Sequence, residues 1–154
     1  MCEYCGCQQL DVIGQLTREH ERLRNVGRLL SDAVNRRELD AAQGLARQML
    51  ELLDPHTRLE EQGLFPELAG DFGDQLADLE HEHVLIDGAL AELAGDAPPA
   101  NWTARTQEAL ALLFDHILKE QDGVFPAALA TVTTDGWERV GQIRDAVALA
   151  TATP

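Results

Sequence analysis

One motif occurs twice in the chain and carries the side chains best suited to chemistry. The copies are HTRLEEQGLFP at residues 56–66 and HILKEQDGVFP at residues 116–126, and both follow the pattern His-x3-Glu-x2-Gly-x-Phe-Pro. Residues four apart on a helix lie on one face, about 5–6 Å from each other. Each copy therefore points an imidazole and a carboxylate in the same direction, which is the geometry of half a metal site.

A shorter repeat adds two more histidines. Glu19-His20 recurs later in the chain as Glu82-His83, and both histidines lie on the apolar stripe of an amphipathic segment. His81 lies two residues before His83, so a helix would turn it about 200° away. We therefore expect His83 to point into the protein and His81 to have a solvent-facing or supporting role.

Long helices must position these side chains, and apolar residues recur at helical spacing along most of the chain. Four long segments and a short fifth show this spacing, at residues 11 to about 35, 40–69, 73–93, 103–130 and 135–150. Pro55 is expected to kink the second helix one residue before His56, because a proline inside a helix removes a hydrogen bond and clashes with the preceding turn. Such a kink would help to aim the histidine.

These segments predict an all-α fold, namely an up-down-up-down four-helix bundle with a short C-terminal fifth helix packed outside it. We expect a Cys-rich N-terminal segment at residues 1–9, the bundle at residues 10–131, and a C-terminal helix and tail at residues 132–154. Side chains on facing helices of such a bundle converge in its core. The fold therefore offers a way to bring the two repeats together.

Six side chains are expected to meet in this core, four imidazoles and two carboxylates: His20, His56, Glu60, His83, His116 and Glu120. Six ligands are too many for one tetrahedral zinc and suit two six-coordinate metals whose remaining positions hold oxygen species. Without a cation, each unpaired buried carboxylate would cost several kcal/mol. The set therefore predicts a metal centre with two ions.

Composition narrows the possible partners. The chain has 154 residues, enough for one domain with a sizeable core, and a formal net charge of −15. Such a charge repels nucleic acid and anionic membranes and attracts metal cations. The N-terminus lacks the basic and apolar regions of a signal peptide, and no stretch has the length of a membrane span. We expect a soluble, cytoplasmic protein, and its oligomeric state stays open.

Across roughly residues 10–130 the chain resembles the hemerythrin-like proteins, the HHE cation-binding family. The resemblance is carried by Glu19-His20, His56-x3-Glu60, Glu82-His83 and His116-x3-Glu120. It implies a non-haem di-iron centre with a bridging oxo or hydroxo group, in which the four histidines are terminal ligands and the two motif glutamates are bridges. The same ligand types also admit manganese or zinc.

One position departs from the oxygen carriers of that family. Those carriers have a fifth histidine one turn beyond the ligand of the third helix, whereas this chain has Asp87 there. The departure disfavours simple oxygen carriage and leaves hydrogen peroxide, dioxygen and nitric oxide as candidate small-molecule ligands. Our leading hypothesis is an enzyme that disproportionates hydrogen peroxide in a catalase-like way, because two metals with exchangeable positions can cycle between oxidised and reduced pairs. The alternatives are nitric-oxide handling or iron–sulfur cluster repair, and a non-enzymatic sensor or store of oxygen or iron.

The N-terminal cysteines form a separate candidate site. Cys2, Cys5 and Cys7 could bind zinc or copper, form a sensor disulfide, or deliver electrons to the metal centre. They could also be incidental thiols of an N-terminal tail. Their odd number leaves at least one thiol unpaired within the chain.

Other residues of the repeats have two interpretations each. Gly63 and Gly123 share a face with the ligand histidines, and either leave a pocket over open metal positions or allow close helix packing. Glu61, Glu82 and Asp122 are expected to be surface charges, although any of them could accept a hydrogen bond from a ligand histidine.

Overall fold

A computed structural model describes residues 7–152, with side chains from residue 9 onward. The cysteine site predicted from Cys2, Cys5 and Cys7 lies outside the described residues, since only the backbone of Cys7 is included. That site therefore stays a prediction.

All regular structure between residues 7 and 152 is helical, which confirms the predicted all-α fold. The elements in chain order are α1 (Cys7–Asn35), α2 (Leu39–Arg58), a first π-helical segment (Leu59–Leu64), α3 (Phe65–Ala94), α4 (Trp102–Lys119), a second π-helical segment (Glu120–Val124), α5 (Phe125–Thr131) and α6 (Thr134–Ala152). Within this range, no helix combines the length and the apolar character that a membrane crossing requires.

Two of the four long bundle helices are interrupted by π-helical segments, and one of the helices named above spans parts of two bundle helices. Phe72 has φ −129° and ψ 23°, which is not helical, so α3 consists of two helices joined at this residue. The second bundle helix is thus α2 with the first π-helical segment and the start of α3, and the third is the rest of α3. The predicted boundary between residues 69 and 73 lies at this interruption. Pro55 does not interrupt α2, which continues to Arg58.

The π-helical segments were not predicted, and they occur at the same place in both copies of the repeated motif. The backbone N–H of Phe65 donates to the carbonyl of Glu60, and that of Phe125 donates to the carbonyl of Glu120, five residues back in each case. The proline that follows each phenylalanine has no N–H to donate, so it cannot hold the chain in regular α-helical bonding. Each segment contains one extra residue, a feature that is common at functional sites.

Two apolar clusters of described residues fill the bundle. Along α1, Val12 and Leu16 belong to one cluster, and Leu23 and Leu30 belong to the other. His20 lies between them. The same alternation occurs on the other three bundle helices, so the candidate ligands form a polar layer between two apolar layers.

Helix α6 packs against α1 and the first π-helical segment, outside the bundle as expected. The Trp137 side chain is only 1% exposed, and Trp137 and Val140 join the apolar cluster of Leu16. Arg139 donates two hydrogen bonds to the Glu67 carboxylate, at 2.7 and 2.8 Å. These contacts attach α6 to the beginning of α3.

The packing of α6 predicts that an alanine at Gly136 destabilises the protein, and Gly44 of α2, which has no such neighbours, serves as the comparison. A Cβ at Gly136 would lie 2.8 Å from Glu67 Oε2 and 2.8 Å from Val132 Cγ1, whereas no described atom outside the local helix lies within 4 Å of a Cβ at Gly44. Gly44→Ala should raise the free energy of unfolding by about 1 kcal/mol through helix propensity. Gly136→Ala should lower it by roughly 1–3 kcal/mol, because the crowded site must move. Urea unfolding followed by circular dichroism measures both, and equal stabilities would contradict the docking.

Candidate metal centre

All six predicted ligand side chains converge in the polar layer, and none is more than 5% exposed. Among the described residues they form two groups that share both glutamates. One group is His20, His56, Glu60 and Glu120, and the other is His83, His116, Glu60 and Glu120. Within each group the candidate ligand atoms lie within 4.8 Å of one another. His81, by contrast, is exposed.

Glu60 presents one carboxylate oxygen to each pair of histidines. Its Oε1 lies 3.1 Å from Nε2 of His56 and 3.9 Å from Nε2 of His20. Its Oε2 lies 3.4 Å from Nε2 of His83. The carboxylate thus lies between the two pairs.

Glu120 repeats this arrangement from the opposite side. Its Oε2 lies 3.0 Å from Nε2 of His20, while its Oε1 lies 2.8 Å from Nε2 of His116 and 3.8 Å from Nε2 of His83. Each half of the chain therefore supplies two histidines and a glutamate, and each glutamate also contacts one histidine of the other half.

Despite these short distances, several of the inward-pointing atoms make no hydrogen bond of acceptable geometry with the described residues. They are both carboxylate oxygens of Glu60, Oε1 of Glu120, and Nε2 of His83 and of His116. A buried polar group without a partner costs about 1–3 kcal/mol, and a charged one costs more. Bound cations would satisfy these lone pairs, and a set of imidazole nitrogens and carboxylate oxygens is a suitable donor set for transition metals. The residues therefore fit a metal centre.

Nδ1 of each histidine, the ring nitrogen that points away from the centre, forms a hydrogen bond with a further side chain. Nδ1 of His56 lies 2.8 Å from Glu19, Nδ1 of His83 lies 2.8 Å from Glu61, and Nδ1 of His116 lies 2.8 Å from Glu82. For His20 the partner is the side-chain oxygen of Gln121, at 3.2 Å. When Nδ1–H donates to these oxygens, the Nε2 lone pair points at the centre, and the ring is fixed in orientation.

These partners correct the interpretation of several charges. Glu61 and Glu82 are not merely surface charges, because each contacts a buried histidine, whereas Asp122 is exposed. Glu19 was noted in the sequence only as part of a repeat, and neither Glu19 nor Gln121 was predicted to contact a histidine. A usable signal existed, because each partner is the immediate neighbour of a ligand.

The Phe-Pro part of the motif also contributes to the centre. The Phe125 ring stacks on His20 with ring centroids 5.3 Å apart and planes 10° apart, and the Phe65 ring stacks on His83 at 6.2 Å and 5°. Both phenylalanines are buried, as expected for core side chains. They therefore restrain the imidazole planes and exclude water from that side.

The two motif glycines have different surroundings. A Cβ at Gly63 would lie 3.4 Å from Ile143 of α6, which agrees with close helix packing. No described atom outside its local helix lies within 4 Å of a Cβ at Gly123, which lines an apolar groove of about 810 Å³ together with Leu76, Leu79 and Val124. The groove reaches Glu82, but the six candidate ligands are not among its lining residues.

Protonation of the metal-free centre follows from these contacts. Burial alone would lower the pKa of His83, but attraction to the nearby Glu60 carboxylate and the hydrogen bond with Glu61 outweigh it and raise the pKa to about 9. The pKa values of His56 and His116 are also raised, since their carboxylate partners outweigh burial. The pKa of Glu60 is lowered, because attraction from His56 and His83 outweighs burial.

These pKa shifts predict that metal uptake releases protons at pH 7. A histidine with a pKa of about 9 is protonated at that pH, and it must lose its proton before Nε2 can bind a cation. Apparent affinity should therefore increase as the pH rises from 7 to 9, and the release should diminish above that range. Titration calorimetry in buffers with different ionisation enthalpies counts the protons. His81→Gln serves as the control and should change nothing, and an uptake heat that is the same in every buffer would contradict the prediction.

Comparison with known proteins agrees with this geometry. Residues 11–128 match the family described as the Hemerythrin HHE cation binding domain, and this range includes all six buried candidate ligands. No curated protein and no solved structure gives a significant match. The family match covers most of the chain, and the buried clusters supply the donor atoms that a cation-binding domain needs. The chain thus belongs to the hemerythrin HHE cation-binding family.

Proposed function

We propose that this protein holds a pair of iron ions between its four buried histidines and uses them to disproportionate hydrogen peroxide. The observation that supports the pair is the placement of the two glutamates, each of which presents one oxygen to His20 or His56 and the other to His83 or His116. Both glutamates are bridging ligands in this proposal. The mixture of imidazole and carboxylate donors suits iron.

When bound, an iron pair supplies reversible two-electron redox chemistry, in which one peroxide is oxidised to dioxygen and a second is reduced to water. The protein's own contribution is to hold the ligands in place and to keep the centre dry. Glu19, Glu61 and Glu82 orient three of the imidazoles. The apolar clusters on both sides exclude bulk water, which limits the escape of reactive oxygen species.

Asp87 occupies the position at which the oxygen carriers have a histidine. It lies one turn after His83 on α3 and is half-buried. Burial raises the pKa of its carboxyl group, although attraction to His83 opposes the shift. The absence of a fifth histidine at this position disfavours simple oxygen carriage and supports turnover in this proposal.

The bridging arrangement predicts unequal losses of iron in two variants. Glu60→Ala removes a ligand from both positions, so the purified chain should retain less than one iron. His56→Ala removes a ligand from one position only and should leave about one iron per chain. Glu80→Gln, an exposed carboxylate of α3, is the control and should retain two. Elemental analysis measures the content, and a Glu60→Ala chain that keeps the same iron as His56→Ala would contradict bridging.

Peroxide turnover predicts that the iron-loaded protein evolves dioxygen from hydrogen peroxide without an added reductant. One dioxygen should appear for every two peroxides consumed, at a rate well above that of an equal concentration of free iron, and Glu60→Ala should abolish it. An oxygen electrode makes the measurement. A rate no higher than that of free iron would refute peroxide disproportionation, and reversible binding of dioxygen or nitric oxide would then be the function to test.

A further inference from the structure

The two halves of the metal centre are nearly equivalent, but one outer contact differs in charge. His56 contacts Glu19 and His116 contacts Glu82, both at 2.8 Å, and these two contacts correspond in the repeat. The outer contacts of His83 and His20 also correspond in the repeat, but they differ in charge. His83 contacts the carboxylate of Glu61, whereas the corresponding contact of His20 is to a neutral amide.

This difference comes from a single position of the repeated motif. Glu61 directly follows the ligand Glu60, and Gln121 directly follows the ligand Glu120. The His83–Glu61 contact is 2.8 Å long, and the His20–Gln121 contact is 3.2 Å long. A hydrogen bond to a carboxylate is shorter and roughly twice as strong as one to a neutral acceptor.

The strength of this outer contact matters for the ion. A carboxylate that accepts Nδ1–H increases the basicity of the imidazole and holds its ring in position, and the loss of such a partner typically lowers metal affinity by about 10–100-fold. Both histidines of the second pair, His83 and His116, have carboxylate partners. In the first pair only His56 has one.

Lys119 is the one basic side chain in contact with these outer carboxylates among the described residues, and it acts in the opposite direction. Its Nζ lies 2.5 Å from Oε1 of Glu82, while His116 contacts the other oxygen, Oε2. The lysine is 47% exposed and also pairs with Asp115 at 3.1 Å. Its charge is therefore shared between two carboxylates and screened by solvent, so it weakens the Glu82 contact without cancelling it.

We infer that Gln121 makes the two metal positions unequal. The position at His83 and His116 holds its ion more tightly, and the position at His20 and His56 fills last and empties first. This inference rests on the proposed pair of metal positions and adds an order of binding to it. Gln121 acts through His20 as a positioning residue and does not itself reach the ion.

Stepwise removal of zinc from the loaded protein tests this order without any assay of activity. Cys2, Cys5 and Cys7 are each changed to Ser in every variant, so that thiolates cannot compete for the ion. The zinc-loaded chain is exposed to graded concentrations of a chelator, and its zinc content is measured. Nitrogen-15 spectra of the histidine rings identify which pair has lost its ion.

The parent chain should lose zinc in two steps separated by about tenfold or more in free-zinc concentration, with His20 and His56 returning to their metal-free signals first. Gln121→Glu and Glu61→Gln should each bring the steps together. The double exchange Glu61→Gln with Gln121→Glu should reverse the order. Asp122→Asn, a neighbouring exposed carboxylate, is the matched control and should leave both steps unchanged.

Two other results are distinguishable. If the chain binds two zinc ions but His83 and His116 lose theirs first, or both pairs release together and Gln121→Glu changes nothing, then the inference about Gln121 is wrong and the metal pair stands. If the chain binds fewer than two ions, the pair of positions and the order of binding are both refuted.

Discussion

The fold depends on the neutralisation of buried charge. Two carboxylates and four imidazoles lie between two apolar layers with almost no access to water, and several of their atoms have no partner among the described side chains. The neighbouring carboxylates raise the pKa of His83 to about 9 despite its burial, so a proton on this histidine offsets part of the charge. Bound cations would offset it more completely, because they would also satisfy the unpaired oxygen and nitrogen lone pairs. The net charge of −15 favours their approach.

The internal repeat explains how a short chain builds such a centre. Each half supplies a histidine from its first helix and a histidine and a glutamate from its second. Each glutamate directs one carboxylate oxygen to a histidine of the other half. The outer contacts cross the structure in the same way, since Glu19 holds His56 and Glu82 holds His116. The two halves have different surroundings at the motif glycines. Helix α6 covers Gly63, while Gly123 faces an apolar groove.

Much of this could be predicted from periodicity and repetition. Apolar spacing located the helices and placed His83 rather than His81 on the inner face, and the duplicated motifs selected every member of the buried cluster. The π-helical segments could not be predicted in this way, because the sequence does not show which carbonyl the N–H of Phe65 reaches. Adjacency to a candidate ligand pointed to Glu19 and Gln121, but it did not show which histidine each would contact. Each contacts a histidine of a different helix, so its role depends on how the helices are rotated against each other.

The π-helical segments also set the register of everything that follows them. In the first half, the extra residue lies after Glu60 and before Phe65, whose ring stacks on His83. A regular α-helix advances by 100° per residue, so the deletion of one residue from this segment would leave the glutamate in place and swing the phenylalanine to another face. The ring would no longer cover the imidazole, and α3 would approach its neighbours with different side chains. The extra residue thus fixes how the polar layer and the following apolar layer are oriented relative to each other.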